Sequence, residues 1–274
     1  MDLDQDAVAL QAANWSKEIQ AVRLYGRPIR FSNRVHPLYT DQTQCWCFTC
    51  HTETIPLDDA CAECGQDTIN DYCHFKAFDT PDNWPVLWLL DPHPRKPHMY
   101  LWVTVGPDDD LWVQHEGECD GDLGDVHADV AHTEESYRLN VAERIIDPNM
   151  GRSPASSKRE ITWQDEFMEA GLSCDLAEDS DVGRSRLNEF LKPDPSSLRP
   201  RIHIHERCQM TNYQMKRYTW EDHKQSLEKD QKQKARPKYD DYPTLLKYLM
   251  NRQPLFADLV NGPVVINRLK RGAY

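Results

Sequence analysis

The sharpest pattern in the chain is the run Pro85-Val-Leu-Trp-Leu-Leu-Asp91, apolar at every position until it ends on a carboxylate. A run this short is no core helix and reads as a strand buried on both faces. Pro92, Pro94 and Pro97 follow. Lacking amide donors, they stop the ladder and leave Asp91 at a strand end. Residues 99–105 form a second strand and 111–115 a third, with Gly106-Pro-Asp-Asp-Asp110 as the turn. A helix is expected over 125–138, then a strand over 141–146 that delivers Asp147 just before Pro148. Thr162 caps a further helix that Gly171 closes. Residues 181–191 repeat the helical pattern, 201–205 alternate as a short strand, and 210–234 read as one long polar helix. A last helix starts at Asp241, with Leu245, Leu246, Tyr248 and Leu249 on its apolar stripe. Residues 1–39 open with an amphipathic helix (Val8, Leu10, Ala13, Trp15, Ile19, Val22) and continue extended, an arm to pack on a partner domain or on the sheet. Strands followed by helices, with a helix between strands, predict an α/β fold with a mixed sheet.

Composition adds a second module. Nine cysteines, five of them between Cys45 and Cys64, fit a reducing compartment and a metal site better than a disulfide framework. Cys47-Phe-Thr-Cys50, ten residues, then Cys61-Ala-Glu-Cys64 is zinc-ribbon spacing: two turns present four thiolates that close a tetrahedron around one structural Zn²⁺. Cys45, His51, Cys73 and His74 stand close enough in sequence to replace one ligand. The chain of 274 residues divides into an arm (1–40), a zinc ribbon (41–78) and a larger domain (79–274). No stretch is long and apolar enough for a membrane span, and the start lacks the basic residues of a secretory signal, so a cytoplasmic location with no membrane partner is expected.

A formal charge of -13 argues against a nucleic-acid partner when taken as a sum. Its distribution argues otherwise. Residues 108–135 are acidic with no Lys or Arg, whereas Arg184, Arg186, Arg199, Arg201 and the lysines from Lys216 to Lys238 gather later. That polarity suits a basic DNA face beside an acidic metal site, and a solvated helix face gives the same pattern. Asp91, Asp147 and the pair Asp240/Asp241 each adjoin an apolar element. Three carboxylate sites of this kind can clamp two Mg²⁺ or Mn²⁺ ions, although each aspartate could also cap a turn or helix. His203 and His205 share one face of a strand, expected to be its solvent side, and read as structural or DNA-contacting.

The segments Leu90-Asp-Pro-His-Pro-Arg-Lys-Pro-His98, Arg144-Ile-Ile-Asp-Pro-Asn-Met-Gly151 and Lys238-Tyr-Asp-Asp-Tyr-Pro-Thr-Leu-Leu-Lys-Tyr-Leu249 resemble the nuclease half of the large terminase of tailed bacteriophages. Ser16-Lys-Glu-Ile-Gln-Ala-Val-Arg-Leu-Tyr-Gly26 resembles the segment by which the terminase motor domain leads into that nuclease. The likeness covers most of the chain except 41–78. It implies a ribonuclease H-like fold, shared with Holliday-junction resolvases, and here interrupted by the ribbon. Asp91 would be the first-strand aspartate, Asp147 the second metal carboxylate, and Asp240 with Asp241 the acidic pair of the final helix. The implied activity is two-metal endonucleolytic cutting of concatemeric viral DNA in the host bacterial cytoplasm. His93, Arg95, Lys96 and His98, with Arg184 and Arg186, would contact double-stranded DNA. The implied partners are the terminase ATPase domain or subunit, the portal and the small terminase. Two other readings stay open: a non-enzymatic zinc-ribbon adaptor for DNA or portal on a degenerate nuclease fold, and a junction resolvase. No glycine begins a Gly-x-x-x-x-Gly-Lys-Ser/Thr loop, so ATP hydrolysis is expected elsewhere. Residues 1–39 would then be the cut edge of a longer protein or the docking arm of a separate ATPase subunit, and isolated cleavage would be slow and salt-sensitive.

Overall fold

A computed structural model describes residues 33–155, 160–221 and 234–261. The amphipathic opening, with Ser16 to Gly26 inside it, and residues 222–233 of the expected long helix lie outside the described residues.

The cysteine-rich part comes first. Strands β1 (Gln44–Cys47), β2 (Thr52–Thr54), β3 (Pro56–Leu57), β4 (Ala60–Cys61) and β5 (Ile69–Tyr72) make two small antiparallel sheets, β2-β1-β5 and β3-β4. The next strand, β6 (Phe75–Lys76), lies within the 41–78 span yet joins the edge of the large sheet. That sheet continues with β7 (Pro85–Asp91), β8 (His98–Val105), β9 (Leu111–Cys119), β10 (Asn140–Ile146), β11 (Asp175–Leu176) and β12 (Ile202–His205), in the order β11-β10-β7-β8-β9-β12-β6. Strands β7, β8 and β9 form an antiparallel meander, β10 and β11 run parallel on the β7 side, and β12 and β6 run parallel beyond β9. The expected mixed α/β sheet of the ribonuclease H-like kind is therefore present.

Every residue of β7 is buried, because helices cover both faces of the sheet. Val86, Trp88 and Leu90 point into one core, with Tyr100 and Trp102, covered by α1 (Leu123–Ser136) and α3 (Trp163–Glu169). Between these two helices, α2 (Pro148–Arg152) starts at Asp147. Leu87 and Leu89 point into the other core, against α4 (Val182–Phe190), α5 (Gln209–Arg217) and α6 (Asp241–Arg252). Each such buried side chain contributes about 1.5–3 kcal/mol relative to exposure, and Leu89→Ala would cost about 2–5 kcal/mol. Local signals agree with these positions: Thr162 caps α3 in a reciprocal capping box with Asp165, and Gly171 takes a φ of 89° just after it.

Three expectations need correction. The helix expected over 210–234 ends at Arg217. Residues 33–35 compete for the backbone there: the Val35 amide donates to the Tyr218 carbonyl (3.0 Å), the Trp220 amide to the Asn33 carbonyl (2.9 Å), and Thr219 bridges to Arg34. Nor is α6 the last helix. Gln253 turns left-handed at φ 49°, Pro254 follows, and α7 (Phe256–Asn261) is anchored by its Phe256 amide on Asp109 Oδ1 (2.8 Å). His203 and His205 are buried at 0% and 7% exposure rather than solvent-facing, since β12 lies inside the sheet between β9 and β6. His203 stacks on Trp112 with ring centroids 4.1 Å apart.

Candidate active site

The site forms where neighbouring strands end together. The register pairs Leu90 of β7 with Ile146 of β10, and the next residue in each chain is an aspartate, Asp91 and Asp147. The Asp147 amide donates to the Leu90 carbonyl (2.8 Å), which fixes the two ends relative to one another. The first turn of α6 brings Asp240 and Asp241 toward Asp91 and its loop.

Asp91, His93 and Asp241 form a tight group, with ligand atoms all within 4.8 Å of one another. His93 Nε2 stands 3.3 Å from Asp91 Oδ2 and 3.5 Å from Asp241 Oδ1, and Lys96 Nζ is 3.5 Å from the same Asp241 oxygen. The other Asp241 oxygen, Oδ2, accepts from Gln214 Nε2 (3.0 Å), while the Gln214 carbonyl oxygen accepts from the Tyr242 amide (2.9 Å). The His93 imidazole beside it holds the Asp241 carboxyl down to about 2. Burial instead pushes Asp91 up, with Asp147 and Asp241 adding to the effect against His93. The two carboxylates in turn raise His93 to about 9, Asp241 more than Asp91. Burial and the neighbouring Asp241 raise Asp240, which occupies the α6 N-cap position without making a side-chain capping bond.

Asp147 caps α2: its Oδ1 accepts from the amides of Asn149 (2.8 Å) and Met150 (2.6 Å), and its Oδ2 accepts from the Tyr248 hydroxyl. The capping role and a place beside Asp91 coexist in this residue. Next to the group, a cleft of about 630 Å³ runs from His93, Arg95 and Lys96 to Asp120 and Trp163.

The remaining residues expected to meet DNA divide in two. Arg95 and Lys96 are exposed on the loop past β7. His98 is 5% exposed, its Nδ1 accepts from the His93 amide (3.2 Å), and Trp163 and Phe167 flank its ring; burial lowers it to about 4. It therefore holds the loop from within, and its ring also lines the cleft. Arg184 pairs with Asp181 and donates to the Tyr218 hydroxyl (3.4 Å). Arg186 donates to the Met250 carbonyl (3.3 Å), about 14 Å along α6 from Asp241 at the helical rise. Both arginines thus have protein partners where they stand. The acidic stretch 108–135 is also split: Asp108 to Asp110 lie in the β8–β9 turn, at the far end of the sheet, where Asp110 pairs with Arg199 (3.1 Å).

The four cysteines named from spacing converge. Cys47 and Cys64 sulfurs are 3.7 Å apart and those of Cys50 and Cys61 4.0 Å. Sulfurs about 2.3 Å from a tetrahedral zinc lie about 3.8 Å from each other, so the set fits that ion. Amides of Cys50 and Glu63 donate to Cys47 and Cys61 sulfurs (3.3 and 3.4 Å). His74 uses both ring nitrogens elsewhere, on the Thr40 amide and the Leu191 carbonyl.

Three site features escaped the sequence reading: His93 as a member of the carboxylate group, Gln214 behind Asp241, and Tyr248 behind Asp147. Tyr248 was visible only as part of an apolar stripe, and Gln214 lies in a polar stretch with no distinguishing signal. The spacing Asp91-Pro-His93 was the one available hint.

No protein-family model and no curated protein matches this sequence. Solved structures do. The large terminase of the thermophilic bacteriophage D6E aligns at 12% identity with a TM-score of 0.52, over 92% of this chain and 53% of that one. The same protein in complex with ATP-gamma-S aligns with a TM-score of 0.51 over 91% of this chain. The P22 large terminase nuclease domain aligns at 16% identity, TM-score 0.46, over 67% of this chain and 90% of its own length. The chain thus shares the fold of a large terminase and spans about half the length of the one it matches over most of its own residues.

Proposed function

We propose that this chain is a divalent-metal-dependent DNA endonuclease, the nuclease part of a phage DNA-packaging terminase. One observation carries the reading: on a sheet of ribonuclease H-like order, the ends of β7, β10 and the start of α6 deliver Asp91, Asp147 and Asp241 to one place. The donor set fits divalent ions, because one oxygen each of Asp91 and Asp241 and the His93 ring nitrogen lie within 4.8 Å of one another and Asp241 is already oriented from behind by Gln214. Asp91 and Asp241, with Asp147 and Asp240 around them, would hold two Mg²⁺ or Mn²⁺ ions. When bound, such ions lower the pKa of a water and neutralise charge on a phosphate and its departing 3′ oxygen. Asp147, locked by two backbone amides and a tyrosine hydroxyl, keeps a fixed carboxylate beside Asp91. Arg95 and Lys96 line the cleft and would neutralise backbone phosphates of duplex DNA. The ribbon cysteines would hold one structural Zn²⁺, with no position left for substrate.

Because the chain spans about half of the D6E protein, the ATPase is proposed to reside in a domain or subunit outside these residues, with portal and small terminase as further partners and the host cytoplasm as the location. The test is cleavage of linear duplex by the purified chain with Mg²⁺ or Mn²⁺. Asp91→Asn and Asp241→Asn should each lose roughly 100-fold or more, and Asp240→Asn distinctly less, since Asp240 stands outside the tight group. Cleavage that survives Asp91→Asn would overturn the reading. Preference for four-way junctions would move it to a resolvase, and no cleavage with any divalent ion would move it to the adaptor.

A further inference from the structure

His93 sits between Asp91 and Asp241 at ion-pair distance from one oxygen of each. Its Nε2 is buried and has no hydrogen-bond partner, although two carboxylate oxygens lie 3.3 and 3.5 Å away. A ring nitrogen placed so, with its atom and one oxygen of each carboxylate all within 4.8 Å of one another, is the third corner of a donor triangle. Two donors each about 2.2 Å from one ion and at right angles lie about 3.1 Å apart, so a small inward adjustment lets all three reach one ion. The surroundings hold the triangle in place. Pro92 and Pro94 restrict the backbone on either side of His93, its amide is bound to His98 Nδ1, and Gln214 takes the Asp241 oxygen that points away.

We infer that His93 is a metal ligand, and that the ion at Asp91, His93 and Asp241 is a first-row transition ion of the Mn²⁺ or Co²⁺ class in preference to Mg²⁺. The inference rests on the metal-dependent reading of the same site. Its ground is donor chemistry: Mg²⁺ selects oxygen and sheds water reluctantly, whereas an imidazole nitrogen favours transition ions. A nitrogen at this corner therefore biases selection, and His93 is not available as a free phosphate contact when the ion is bound.

The test uses the full chain with its zinc retained, titrated with Mn²⁺ and with Mg²⁺ by calorimetry and followed by electron paramagnetic resonance. Bound Mn²⁺ should show ¹⁴N coupling from one imidazole and bind at least tenfold more tightly than Mg²⁺. His93→Gln should abolish the coupling and weaken Mn²⁺ binding about 10- to 100-fold while changing Mg²⁺ binding little. His93→Asp, an all-oxygen triangle, should swing the preference back toward Mg²⁺, a change that lost packing would not produce. Tight Mn²⁺ binding without nitrogen coupling, or coupling unchanged in His93→Gln, would overturn the inference and leave the metal-dependent reading standing. Failure of the wild-type chain to bind either ion would overturn both.

Discussion

Tyr248 and Asp147 are 101 residues apart in sequence, and the tyrosine hydroxyl donates to Oδ2 of the aspartate. The bond ties α6, which carries Asp241, to the end of β10. Burial and the adjacent Asp147 raise the Tyr248 pKa, so the hydroxyl keeps its proton. Tyr248→Phe removes this donor and leaves a buried carboxylate oxygen unpaired. We expect a loss of about 1–3 kcal/mol in urea unfolding, and DNA cleavage reduced about 10- to 100-fold because the carboxylate is no longer oriented. A variant unchanged in both measurements would remove Tyr248 from the site.

This contact marks the limit of what the sequence discloses. Strand ends are legible locally: an apolar run closed by Asp91-Pro92 or Asp147-Pro148 announces both the strand and its carboxylate, and the Cys47, Cys50, Cys61, Cys64 spacing announces its own geometry. Contacts across the fold are not. His203 and His205 look like a solvent face because alternation is all that four residues can show, and only the pairing of β12 between β9 and β6 buries them. The helix beyond Arg217 fails for a similar reason: its competitor, the strand-like pairing with residues 33–35, lies far away in sequence. That Arg184 and Arg186 already have protein partners, Asp181 and Tyr218 for one and the Met250 carbonyl for the other, is likewise invisible in the sequence.

Buried histidines set an acid limit on stability. Burial lowers His36 to about 4, and His115 and His203 to about 3 each. All three lie below the ordinary value of about 6.5, so the unfolded chain takes up protons first as the pH falls. The stability they provide is complete above about pH 6.5 and is lost progressively toward about pH 4 for His36 and about pH 3 for His115 and His203. With three protons involved, the slope approaches about 4 kcal/mol per pH unit in that window. Urea midpoints at pH 7.5, 6.0 and 5.0 should fall increasingly steeply. A midpoint constant from 7.5 to 5.0 would contradict the neutral, buried assignment of these rings.

Zinc in the ribbon is expected to behave as part of the fold. Residues 44–72 contribute strands of two to four residues, too short to stand without a staple. Elemental analysis should find one zinc per chain, and Cys47→Ser or Cys61→Ser should lose it, since the metal's binding energy is the ribbon's folding energy. Limited proteolysis of either variant should then cut first within 44–72. Full zinc content in both variants would exclude these four sulfurs as its ligands.

The cations also separate by what they touch. Lys96 is a side chain 61% exposed beside Asp241, whereas Arg186 spends its guanidinium on the Met250 carbonyl at the last turn of α6. A lysine that neutralises one phosphate contributes about one counterion to the salt dependence of binding, so Lys96→Ala should lower the slope of log K against log salt by about one and weaken all sequences alike. Arg186→Ala removes a donor from the C-terminal end of a helix and should cost about 1 kcal/mol of stability with the salt slope unchanged. Fluorescence anisotropy with duplex DNA from 50 to 200 mM salt, in the presence of Ca²⁺ to hold cleavage off, reads both variants. If Arg186→Ala lowered the slope and Lys96→Ala did not, the DNA face would lie over α4 and not on the loop past Asp91.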